Sequence, residues 1–112
     1  MAEPGDLDAL TREHDALRDR MPRTWNAFFA RFAGLRPVQL AAMYQLLDGN
    51  PILITAPTAG GKMEAALAPL CERLLGNAWP GLSVLLITPT RSLVNDLYHR
   101  LKRPCEMLAL RL

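Results

Sequence analysis

Hydrophobic residues recur at helical spacing along the first half of the chain. Leu7, Leu10, Leu17 and Met21 fall on one face, with His14 in the same seam, and predict a helix over 6–21. Pro22 ends it. This helix either packs on its own domain or serves a partner. Trp25, Phe28, Phe29 and Phe32 form a second broad apolar face, and Gly34 suits a helix C-terminus. "LRPVQLAAMYQLLDGN" predicts a third helix. Pro37 sits in its first turn, Val38, Ala41, Ala42, Gln45 and Leu46 continue it, and Gly49-Asn50 stop it.

The pattern then changes period. "PILIT" (51–55) is a short apolar run of the buried-strand kind. Residues 62–75 return to helix and end at Gly76-Asn77. "AWPGL" is a loop, and "SVLLIT" (83–88) predicts a second strand. "RSLVNDLYHRLKR" is amphipathic through Leu93, Leu97 and Leu101, with Val94 beside them, and Pro104 closes it. "CEMLALRL" is ambiguous, with the start of a third strand as one reading. Strand, loop, helix repeated twice is the order of an α/β fold with a parallel sheet. Two strands do not complete such a sheet, so the end at "LALRL" reads as truncation.

Composition narrows the class. The 112 residues allow one domain, and 50% hydrophobic with 21% charged is globular. A net charge of +2 does not by itself point to nucleic acid. No apolar stretch reaches the roughly 18 residues of a membrane span. The acidic start "MAEPGDLDAL" is not a signal peptide. Cys71 and Cys105 show no metal or redox spacing and read as reduced thiols of a cytoplasmic protein. His14 alone is no ligand site.

Candidate chemistry lies in "APTAGGKM", residues 56–63. A phosphate cradle needs a tight turn whose N–H groups point inward, a helix N-terminus and a lysine. Gly60, Gly61 and Lys62 meet these needs directly after a predicted strand. Two positions depart from the general pattern: Ala56 replaces its first Gly, and Met63 replaces the Ser/Thr that ligates magnesium. A thioether is a poor ligand for so hard a cation. Packing in the core is the bland reading of Met63, and a glycine-rich turn with a surface lysine is the bland reading of the loop.

The flanks of the loop resemble a known family. "APTAGGKMEAA" resembles the "APTGSGKTEAA" loop of superfamily 2 helicases, which include the DEAD/DEAH-box enzymes. Ala is usual at the first position there. "LRPVQ" resembles the family's Q motif, and "TPTRSLVNDLYHRL" resembles motif Ia, in the expected order. "EAA" and "LVNDL" look most like Lhr-type DNA helicases. The resemblance runs from about residue 24 to the end and implies residues 24–112 as a truncated RecA-like first lobe. Its fold would be a partial P-loop parallel sheet with flanking helices, behind an N-terminal helical extension at 1–23.

By resemblance, Gln39 reads adenine, since an amide both donates and accepts. Thr58, Ala59, Gly60, Gly61 and Lys62 cradle ATP, with Met63 next to them. Thr90 and Arg91 touch DNA or RNA, and Arg100, Lys102 and Arg103 either extend that surface or form a solvated face. Ala59 and Gly60 replace the common Gly-Ser pair. Magnesium is expected for the family and weakened here by Met63. After motif Ia the sequence carries no DExx segment, coupling motif, second lobe or arginine finger. The chain is therefore expected to contribute binding motifs without catalysis of its own, beside the missing remainder of a helicase or another subunit. A non-catalytic scaffold derived from a helicase lobe is the alternative. A small P-loop kinase fits less well, because such enzymes open with the loop.

Overall fold

The computed structural model describes residues 4–30, 35–55 and 61–112. Five helices stand among them: α1 (Pro4–Arg20), α2 (Trp25–Phe29), α3 (Pro37–Leu47), α4 (Lys62–Asn77) and α5 (Arg91–Met107). Phe32 and Gly34, expected to finish the second helix, lie outside the described residues.

Each boundary has a local cause. The chain turns at Met21-Pro22, where the Trp25 amide donates to the Met21 carbonyl. Pro37 opens α3, its fixed φ already helical. The α3 C-terminus closes when Asp48 and Gly49 donate back into the last turn, and Gly49 takes φ 84°. Thr90 caps α5, its hydroxyl accepting from the Leu93 N–H at 3.2 Å.

α4 packs on α3 and α2. Its most extensive neighbour is α3; α1 lies on α3, and α2 touches both α4 and α5. Leu17 and Met21 of the first seam are buried with Trp25, Phe28, Phe29, Leu40, Met43, Leu67 and Leu101 in one core. Leu17 and Met21 of that seam are therefore spent inside the domain. His14 stands edge-on to Trp25 at 5.0 Å, a packing role. The Tyr44 hydroxyl donates to the Glu13 carbonyl at 2.8 Å and pins α1 to α3.

The predicted α/β architecture is not present. Among the described residues there is no strand, so neither the partial parallel sheet nor its flanking-helix arrangement forms. Residues 52–55 instead border a cleft of about 250 Å³ with Val38 and Ala41 of α3. In 83–88, Val84 and Leu86 border a second cavity of about 270 Å³ with Leu67, Cys71 and Cys105. A parallel pair is stable only with both faces covered, and two strands alone are marginal. Here α3 and α4 pack on each other instead. Leu53 and Ile87 remain 89% and 86% exposed.

Pro104 also overturns expectation. Pro104 does not close α5, which continues to Met107, and "CEMLALRL" begins as helix and then turns at Leu108 and Ala109. Leu101 and Cys105, buried on either side of Pro104, hold the last turns in the core. Pro69 likewise lies fully buried inside α4. An interior proline removes one helical hydrogen bond and costs about 3 kcal/mol, so burial must hold both helices together. The α4 C-terminus falls at Asn77, where Ala78, not Gly76, takes the left-handed φ of 50°.

Two outcomes follow from this core. Met43 has no exposed surface, so Met43→Ala should cost ~2–5 kcal/mol in urea unfolding. Burial also pushes the Cys71 thiol up to about 11, with Cys105 adding to the shift, and burial raises Cys105 too. The unfolded thiols ionise first, at about 8.5. Between that pH and about 11 the unfolded chain binds fewer protons, so stability should fall as pH rises through this window. Thermal melts at stepped pH, repeated on Cys71→Ala, check the slope.

Candidate nucleotide site at the head of α4

The loop that enters α4 ends at Gly61, which adopts φ 68° and directly precedes Lys62. A helix N-terminus is where an anion finds backbone N–H donors and the positive end of the helix dipole. Thr58, Ala59 and Gly60 lie outside the described residues. Lys62, half-buried, is the first residue of α4.

Gln39 comes to this same place from α3. Its Oε1 accepts from the Arg36 N–H at 2.9 Å, which caps the start of α3. Its Nε2 donates to the Gly61 carbonyl at 3.2 Å. Both ends of the amide are thus engaged within the protein. A Cβ added at Gly61 would collide with that amide. Glycine is required here twice, for its φ and for its lack of a side chain.

Met63 is half-buried and packs against the core. It borders a cavity of about 380 Å³ with Phe28, Leu101, Pro104 and Met107, between α2, α4 and α5. Apolar packing is therefore its role in this structure.

Glu64 went unnoticed as a site residue. Its Oε1 accepts from Arg100 Nη2 at 2.7 Å, joining the first turn of α4 to α5. Its Oε2 is buried with no hydrogen-bond partner and lies 3.9 Å from where a Gly61 Cβ would stand. An acid in the first turn of a helix, two residues after a loop lysine, was the available signal. Arg100 is accordingly not simply a solvated charge. Lys102 and Arg103 are exposed, as are Thr90 and Arg91 at the start of α5. The Thr90 hydroxyl is used as the helix cap. Among the described residues no three His, Cys, Asp or Glu side chains gather to hold a metal. None of the described helices is long and apolar enough to cross a membrane.

A family model described as DEAD/DEAH box helicase matches residues 36–112. The chain belongs to that family. It is 33% identical over 96 residues to the ATP-dependent RNA helicase DBP4 of Gibberella zeae, covering 83% of this chain and 12% of that protein. It is 35% identical to DBP4 of Encephalitozoon cuniculi, covering 64% of this chain and 17% of that protein. Against the ATP-dependent RNA helicase DBP3 of Scheffersomyces stipitis it is 36% identical, covering 68% of this chain and 14% of that protein. The chain thus spans less than a fifth of the length of each of these relatives. No solved structure matches it.

The junction of Gln39 and Gly61 predicts a non-additive pair. Gly61→Ala should lose ~1–3 kcal/mol, combining left-handed strain with the collision. In a Gln39→Ala background only the strain, ~1–2 kcal/mol, should remain. A denaturation double-mutant cycle measures the difference.

Proposed function

We propose that the chain supplies the nucleotide-cradling loop and a nucleic-acid-touching motif of an ATP-dependent RNA helicase. The observation that carries this reading is the junction at Gly61. There the Q-like segment, through Gln39, meets the loop that leads into Lys62 and α4. Family membership and the RNA-helicase names of the relatives favour ATP and RNA as the ligands. Lys62 contributes charge to the bound phosphates, and the α4 N-terminus contributes N–H donors. To meet adenine, the Gln39 amide exchanges the Arg36 or Gly61 backbone for the base edge. Thr90 and Arg91, exposed at the start of α5, face a nucleic-acid backbone, Arg91 by a charge-assisted contact. Turning ATP over also needs a positioned water and an arginine. No motif for either follows "TPTRSLVNDLYHRL" in this sequence.

A second reading rests on the exposed side chains of Leu53, Leu85, Ile87, Leu93 and Val94. Apolar exposure of this kind marks a docking face, as a helicase-derived scaffold would have.

Calorimetric titration with ATP separates the two. Binding should weaken by roughly tenfold or more in Lys62→Ala, the share of one charge-assisted contact. Arg91→Ala should weaken single-stranded RNA binding and leave ATP binding unchanged. No heat with ATP from a folded sample would sink the nucleotide reading and bring the scaffold forward.

A further inference from the structure

The cavity between α2, α4 and α5 offers about 380 Å³, within the roughly 300–1,000 Å³ of small-molecule sites. Its lining combines an apolar floor with charge. Phe28 and Leu101 are buried there and Met63 is half-buried, while Met107 and Arg103 are exposed. We infer that this cavity binds a small aromatic carboxylate, with its ring among Phe28, Met63 and Met107 and its carboxylate on the Arg103 guanidinium.

Three observations carry this. The first is the balance of charge. The ionisable side chains that line the cavity are Glu64, Arg100 and Arg103. Arg100 is committed to Glu64 at 2.7 Å, so those two charges offset each other. Arg103 forms no ion pair among the described residues. One positive charge is left uncompensated, which favours a single anion and opposes a cation. The second is the apolar composition. Thioethers are polarizable and make favourable contacts at the edges of aromatic rings, and Phe28 adds a ring for tilted or offset packing. Two methionines and a phenylalanine round one cavity therefore suit a flat ring. The third is where the charge sits. The planar fork of a guanidinium matches a carboxylate. Because Arg103 is exposed, an anion paired with it stays partly hydrated and avoids the desolvation that a buried ion pair costs. The ring takes the drier end, beside Phe28.

The inference is independent of the nucleotide reading, since Gln39, Gly61 and Lys62 do not line this cavity. It is tested with a pair of fluorescent probes that differ in charge, 2-naphthoate and its neutral amide, titrated into the full chain. The wild type should bind naphthoate roughly tenfold more tightly than the amide, the share of one charge-assisted contact. In Arg103→Ala the acid should fall to the level of the amide, and the amide should bind as before. Arg103 is exposed, so its truncation leaves the core intact.

Methyl NMR on the wild type reads the place of binding without any variant. The ring current of bound naphthoate should shift the Met63 and Met107 methyl signals. Met21 and Met43, which have no exposed surface, should stay where they are. Shifts at Leu53, Leu85 and Ile87 in place of Met63 and Met107 would put the ring on the exposed apolar side chains and overturn the inference. An amide that binds as tightly as the acid also overturns it. So does an acid whose affinity survives Arg103→Ala, or a chain that shows no saturable binding of naphthoate.

Discussion

The Gln39 carboxamide is the joint on which the structure turns. One of its atoms caps α3 and the other holds the carbonyl that precedes α4. Since α3 and α4 form the most extensive helix pair, this amide fixes where the two begin relative to each other. It is buried with both hydrogen-bonding ends satisfied, so its desolvation is compensated. Removing one partner would strand the other in a dry setting. The bare backbone of Gly61 is what lets the amide approach. The rest of the site follows from that approach: Lys62 falls at the helix start, Met63 on the core side and Glu64 on the side of α5.

α5 is tied in by different means. Leu101 and Cys105 anchor it in the core, and the Arg100–Glu64 pair joins it to the first turn of α4. That pair is short, and its carboxylate is largely shielded from water, unlike the open Arg20–Asp48 pair. Exposed pairs contribute little to stability. A half-shielded one serves better to hold orientation, and here it sets α5 against the first turn of α4.

How much of this was legible in the sequence depended on whether the signal was local. The α1 seam, Pro37 opening α3, Gly49 closing it and the amphipathic start of α5 were all readable, because each is decided within a turn or two. The strands were not. "PILIT" and "SVLLIT" carry the composition of buried strands, but a ladder needs neighbours and cover that composition does not guarantee. Pro104 misled for a similar reason. Its cost is local, while the burial of Leu101 and Cys105 that outweighs it is tertiary. In the candidate site, Gln39, Gly61 and Lys62 were singled out by resemblance to a family motif. The meeting of Gln39 with Gly61 was not, since the hydrogen bond between them spans 22 positions. Glu64 escaped because its significance lies in an oxygen left without a partner, which no pattern encodes.

The bare side chains of Leu53, Leu85 and Ile87 have a consequence for the order of the reactions open to this molecule. Folding of the helical core is unimolecular and indifferent to concentration. Meeting of two such apolar segments is bimolecular, and its rate grows with the square of concentration. Dilution therefore favours the single folded chain over its self-associated forms. A crowded preparation favours the reverse, without any change in sequence, temperature or salt.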